Sequence, residues 1–215
     1  MSIILIDSGI ANIHSAAKAL ELWGTPVKIT DRSEDFCQAR GIVLPGVGAF
    51  DPGMAALKQK DLIHPLQDWV AQDRPLLGIC LGMQLLFDRS EEGESAGLGI
   101  VSGVVRRLPQ VKDVPLPHMG WNQLEIKRNH FLWHHLPPNP WVYFVHSYYA
   151  EPNNPSTISA TVDYGGYHPT VSVTQGNVMG LQFHPEKSAT VGLQILRNFV
   201  QSVGLLPKEV NYVES

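Results

Sequence analysis

The sequence predicts an α/β fold in three layers: an open, mostly parallel sheet flanked by helices, with an antiparallel extension. Three observations lead there. Apolar, β-branched runs alternate with helically spaced apolar residues up to about residue 90, the pattern of strands joined by crossover helices. Beyond about Gly97 the chain breaks into short strand-like pieces separated by Pro, Gly and Asn, as antiparallel strands and tight turns do. Near the C-terminal end a final helical pattern carries an apolar face, which must pack back onto the sheet.

Taken in order, "SIILID" is a β-branched run ending before Gly9, and "NIHSAAKALELWG" sets Ile13, Ala16, Ala17, Leu20 and Trp23 at helical spacing before Gly24 stops it. "PVKIT" and "GIVLPG" read as the next two strands. The stretch "GMAALKQKDLIHPLQDWVAQ" reads as helical segments broken near Pro65, and "PLLGIC" as a further buried strand. The strand-like pieces that follow are "GIVSGVVRRL", "WNQLEIK", "WVYFVHSYYA", "STISATVDY", "TVSVTQ" and "NVMGLQF". In "SATVGLQILRNFVQSVGLL", Val191, Ile195, Leu196 and Phe199 form the face of the last helix. "HHLPPNPW" is a turn region, too short to link independent domains. A single domain over residues 1–215 is expected.

Bulk properties narrow the function. The formal net charge of −4 comes without any block of like charges, so neither nucleic acid nor a membrane surface is indicated as a partner. Small molecules or proteins fit better. Cys37 and Cys80 are the two cysteines and form no CxxC pair, which argues against a disulfide framework or a cysteine zinc site and for a reducing, cytoplasmic setting. The start "MSIILIDSG" has no basic region and meets Asp7 too early for a signal peptide, and no apolar run approaches membrane-spanning length. No metal or other cofactor is expected.

Chemistry concentrates around Cys80. The stretch "PLLGICLGMQLLF" sets it between Gly78 and Gly82, after a strand and before a helical pattern, the cysteine version of a nucleophile elbow in which a sharp turn exposes the reactive atom. A helix N-terminus there would favour thiolate over a thiol of pKa about 8.5. Alone, Cys80 also suits a buried, inert core position. In "GLQFHPEKS", His184 ends an apolar strand and Glu186 follows two residues later. Two-residue spacing on extended chain puts both side chains on one side, and Pro185 biases His184 to that geometry. A Cys80–His184–Glu186 triad is therefore available. A zinc deaminase reading of the HxE pattern fails for want of a following PCxxC.

An oxyanion needs donors. "LPGVGAF" follows the strand "GIVL", and Gly46 and Gly48 let the peptide around Val47 rotate; the N–H of Leu81, after the nucleophile, would be the second donor. Read alone, this is equally a plain glycine turn. The spacing of Gly46, Gly48 and Gly53, with Pro52 between, is not a dinucleotide fingerprint. Cys37 lacks an elbow and a neighbouring His, and His130, His134 and His135 lack nearby carboxylates, so none of them is taken as functional.

Together "PGVGAF", "GICLGMQLLF" and "FHPEKS" resemble the class I (triad) glutamine amidotransferases, in order and separation across nearly the whole chain. The resemblance implies their flavodoxin-like fold and a glutaminase in which Cys80 attacks the side-chain amide of L-glutamine, His184 protonates the departing ammonia and Glu186 orients His184. It also implies glutamine contacts at Gln84, His146, Ser147 and Tyr148, although the polar residues of "WVYFVHSYYA" also suit a strand's solvent face. Within the class, "PLPHMGWNQLE" and "DSGIANIHSAAKAL" are similar to the amidotransferase subunits of imidazole glycerol phosphate synthases of histidine biosynthesis. Ammonia then passes to a separate (β/α)8-barrel cyclase subunit in a heterodimer. Asn12, Met119, Gly120, Trp121, Asn122 and Lys187 become interface or relay candidates, while Ser8 and Ala11 stand where the family pattern has Tyr and Gly. A waste-free glutaminase should keep the Val47 N–H turned away until partner and nucleotide bind. The rivals are an amidotransferase serving another synthase, a stand-alone cysteine hydrolase, and a non-catalytic module on the same fold.

Overall fold

The computed structural model describes residues 1–9 and 11–206. Ile10 and residues 207–215 of the expected single domain lie outside the described residues. The first half alternates as anticipated: β1 (Ser2–Ile6), α1 (Ile13–Glu21), β2 (Val27–Thr30), β3 (Ala39–Gly46), α2 (Phe50–Gln59), α3 (Ile63–Ala71), β4 (Leu76–Cys80) and α4 (Leu81–Gln84). Then come β5 (Arg89–Ser90), β6 (Gly103–Arg107), β7 (His118–Gln123), β8 (Glu125–Ile126), β9 (Trp141–His146), β10 (Tyr148–Pro152), β11 (Ile158–Thr161), β12 (Thr170–Gln175), β13 (Val178–Leu181) and α5 (Ala189–Ser202).

The main sheet runs β2-β1-β3-β4-β13-β12-β10-β6-β5, with β11 and β8 branching from β12. Its first five strands are parallel and the extension from β13 through β12, β10 and β6 is antiparallel. Alternation along β1 explains the layers. Ile3 and Leu5 join α1 and α5 in one core, whereas Ile4 and Ile6 join α2 and α3 in the other. A strand sandwiched in this way is apolar at every position, which is why "SIILI" shows no period of two. Among the described residues no helix is long and apolar enough to cross a membrane.

Three expectations shift. The helical stretch breaks at Lys60–Leu62, where Asp61 has φ 52°, and not at Pro65. Pro65 sits in the first turn of α3, whose N–H groups have no intrahelical acceptor to lose. "WVYFVHSYYA" is two strands. It changes sheet at Ser147: β9 pairs with β7 as a separate two-stranded ribbon, while β10 stays in the main sheet. The helix after Cys80 is the single turn α4, because Leu86 N and Phe87 N bond three residues back and leave the α-pattern.

Candidate active site

Cys80 ends β4 in a left-handed conformation, φ 55° and ψ −113°, which costs a non-glycine residue on the order of 1–3 kcal/mol. Close packing of the elbow holds it there. A Cβ on Gly82 would lie 1.8 Å from the Leu44 carbonyl oxygen on neighbouring β3, so only glycine lets the turn approach the sheet so closely. Cys80 is buried, 7% exposed, at the wall of a cavity of about 320 Å³. With α4 reduced to one turn, the helix dipole anticipated at the sulfur is slight, since it scales with aligned peptides.

The cavity brings together Cys80, His184, Val47, Gly48, Leu81, Gln84, His146, Ser147 and Tyr148. His184 is extended before Pro185, as expected, with φ −98° and ψ 97°. Glu186 arrives differently. Residues 185–187 form a 3₁₀ turn rather than extended chain, and that turn brings Glu186 Oε1 within 2.8 Å of His184 Nδ1. Both side chains are buried, 3% and 5% exposed. His184 N donates to the Tyr143 carbonyl, and Ser188 Oγ donates to the His184 carbonyl while accepting from Tyr143 N. The imidazole is thus fixed from β9 and from the start of α5.

A carboxylate only accepts, so Nδ1 carries the proton and Nε2 turns toward Cys80. Among the described residues Nε2 has no hydrogen-bond partner, as is common before substrate tightens a site. Burial alone would push the His184 pKa down, but the adjacent Cys80 and Glu186 outweigh it and raise it to about 9. His184 therefore holds a proton at neutral pH, ready for donation.

The turn at Val47 and Gly48 joins β3 to α2. Val47 is 40% exposed, and Gly48 has φ +95° with nothing within 4 Å of where a Cβ would stand. Gln84 Nε2 donates to the Tyr148 carbonyl at 3.2 Å and to Gln182 Oε1 at 3.0 Å. Gln182 Nε2 in turn reaches Cys80 Sγ at 3.8 Å. His146 lines the cavity with both ring nitrogens already bonded inside the protein.

Two site residues escaped the sequence reading. Gln182 sits two positions before His184, a spacing that places both on one side of an extended chain. Glu92 also lines the cavity and accepts from Phe50 N at 2.8 Å, across 42 residues of sequence; no local pattern signals it.

The interface candidates lie on β7, just before α1 and in the turn of residues 185–187. Along β7, Met119 and Trp121 point outward, 59% and 50% exposed, while Gly120 and Asn122 face inward as the pleat requires. Asn122 bonds within the protein, to His118 and the Asp163 carbonyl. Lys187 and Asn12 are exposed, Lys187 on the turn of residues 185–187 that packs against α1 and β9 and Asn12 just before α1. Ser8 is buried and Ala11 half-buried. Cys37 is exposed and donates to the Glu34 carbonyl.

Known proteins resemble this chain in sequence and fold. The sequence profile of the family "Glutamine amidotransferase class-I" matches residues 4–203. "Imidazole glycerol phosphate synthase subunit HisH" of Gloeothece citriformis is 53% identical over 202 residues, 94% of this chain and 96% of that protein. The protein of the same name from Acaryochloris marina is 52% identical, with 94% of each chain covered. A crystal structure of a glutamine amidotransferase superposes with a TM-score of 0.73 at 19% identity over 94% of this chain and 98% of that one, which speaks to the fold alone. Identity at this level across nearly the full length joins what the sheet, the elbow and the His–Glu pair already indicate: the chain belongs to the class-I glutamine amidotransferase family and, within it, to the HisH subunits of imidazole glycerol phosphate synthase.

Proposed function

We propose that residues 1–215 form one glutaminase domain that hydrolyses L-glutamine to glutamate and ammonia through a thioester on Cys80. The single observation behind this reading is the nucleophile elbow with a buried, carboxylate-held histidine turned toward its sulfur. The Cys80 thiolate attacks the side-chain amide carbon. N–H groups of the Val47–Gly48 turn and of Leu81 stabilise the oxyanion. His184 gives its Nε2 proton to the nitrogen, ammonia leaves, and the C–N bond is replaced by C–S. Water, deprotonated by His184, then cleaves the thioester and returns Cys80. Glu186 holds the ring tautomer throughout.

Gln84, Ser147 and Tyr148 form the wall that receives glutamine, with His146 behind it. Glu92 is an acidic group of the cavity lining and suits the substrate's α-ammonium. The ammonia is handed to a (β/α)8-barrel cyclase subunit of imidazole glycerol phosphate synthase, as a heterodimer in histidine biosynthesis. Met119, Trp121, Asn12 and Lys187 are its docking candidates, supported by exposure of two large apolar side chains on one ribbon. Gly120 and Asn122 would act from the inner side of that ribbon. A cytoplasmic location accompanies this reading, which calls for no cofactor, metal, nucleic acid or membrane.

The test is glutaminase activity of the purified chain, with and without the cyclase subunit and its nucleotide ligand. Stimulated turnover should disappear in Cys80→Ala by about 10³-fold or more. Activity that survives in Cys80→Ala would reject the thioester.

A further inference from the structure

The catalytic sulfur is joined to the exposed ribbon by an unbroken series of hydrogen bonds. Gln182 Nε2 donates to Cys80 Sγ, Gln84 Nε2 to Gln182 Oε1, and the same Gln84 nitrogen to the Tyr148 carbonyl. That carbonyl is shared. His146 Nδ1 approaches it at 2.8 Å, His146 Nε2 meets His118 Nδ1 at 2.9 Å, and His118 Nε2 meets Asn122 Nδ2 at 3.2 Å. His118 and His146 are directly paired across β7 and β9, and both are buried, 8% and 6% exposed.

Polarity along this series is forced. A carbonyl oxygen only accepts, so His146 Nδ1 carries its proton and, in a neutral ring, Nε2 accepts. His118 must then donate from Nδ1 and accept at Nε2, and Asn122 supplies the donor. Its other amide hydrogen goes to the Asp163 carbonyl at 2.8 Å, and its Oδ1 accepts from Gln123 N. Both rings are neutral because burial holds their pKa values down, to about 4 for His118 and about 3 for His146. The series ends on the oxygen that fixes Gln84.

We propose that His118 is a positioning residue for glutamine hydrolysis: its Nδ1–H holds the His146 ring through Nε2, and that ring keeps the Tyr148 carbonyl and Gln84 in register with the partner-facing ribbon. The inference rests on the glutaminase reading above. Met119 and Trp121 flank His118 and Asn122 on alternate sides of β7, so a partner that moves the outer side chains moves the head of the series. The site then senses docking through the substrate wall, separately from the oxyanion turn.

The test compares His118→Phe, which keeps an aromatic ring stacked on Phe144 (4.7 Å between ring centroids in the native pair) but has no donor, with His118→Asn, whose amide nitrogen reaches the Nδ1 position. In the complex with the cyclase subunit, His118→Phe should raise KM for glutamine about five- to tenfold, as loss of one buried hydrogen bond does. Alkylation of Cys80 by iodoacetamide should change by no more than about twofold, since the sulfur itself is untouched. His118→Asn should return KM to within about twofold of wild type. In imidazole ¹⁵N spectra, His146 should be the Nδ1–H tautomer in all three proteins, with its Nε2 resonance displaced in His118→Phe, where the accepted hydrogen bond is lost, and restored in His118→Asn. An unchanged KM in a folded His118→Phe, or failure of His118→Asn to restore it, overturns the relay while wild-type turnover upholds the glutaminase. Absence of Cys80-dependent turnover in wild type overturns both.

Discussion

Glu186 controls more than the direction of an imidazole. It is one of the groups that hold the His184 pKa near 9 against burial, and among the described residues its carboxylate bonds His184 Nδ1 at 2.8 Å through Oε1 while Oε2 has no hydrogen-bond partner. Glu186→Gln removes the charge and permits the amide to donate to Nδ1, which would leave the proton on the wrong nitrogen. We expect kcat for glutamine to fall about 10²- to 10⁴-fold with little change in KM. The limb of the pH–rate profile set by His184 should move to lower pH. A Glu186→Gln enzyme with wild-type kcat would mean that the turn of residues 185–187, and not the carboxylate, does the orienting. Cys80, His184 and Glu186 were legible because each lies in a local pattern. Glu92 and His118 were not, because one meets the site across 42 residues and the other matters only through a strand partner.

Two glycine elements at the ends of β3 and β4 have opposite tolerances. Gly82→Ala puts a methyl 1.8 Å from a backbone oxygen with no freedom to move. Unfolding stability should drop by about 3 kcal/mol or more, read by urea denaturation. Gly48→Ala meets nothing within 4 Å but must hold φ +95°, a cost of about 1–2 kcal/mol. Its effect should therefore fall on the mobility of the oxyanion turn: a small shift in Tm, a clear loss of partner-stimulated kcat. Stimulation itself is the prediction for the native turn, and an isolated chain as fast as the complex would remove any gating role from Val47 and Gly48. At this scale the strands and helices of the first half were readable, since sheet strands buried on both faces are continuously apolar. The break at Asp61 and the change of sheet at Ser147 were hidden. Positive φ at a non-glycine residue and the choice between two sheets both depend on tertiary contacts.

The whole molecule sets two groups of histidines against each other. His118, His146 and His130 are each pushed down, to about 4, 3 and 4, chiefly by burial, whereas His184 is raised to about 9. In an unfolded chain all of them would titrate near 6.5. For the lowered group the unfolded state binds more protons below pH 6.5, so stability falls as pH drops. His184 has the reverse sign: the folded state binds the extra proton between 6.5 and 9, so its contribution is present below 6.5 and is lost as pH rises through 9. Stability should consequently peak near neutral pH, each limb sloping by about 1.4 kcal/mol per pH unit for each proton involved. The acid limb belongs to histidines between pH 5 and 6.5, where carboxylates with lowered pKa values such as Asp51 and Glu91 remain ionised. Urea unfolding from pH 5 to 9.5 measures the curve. His118→Phe should flatten the acid limb and leave the basic one, and His184→Asn should do the opposite; identical curves for wild type and both variants would show that the fold does not distinguish these rings from solvent-exposed histidines.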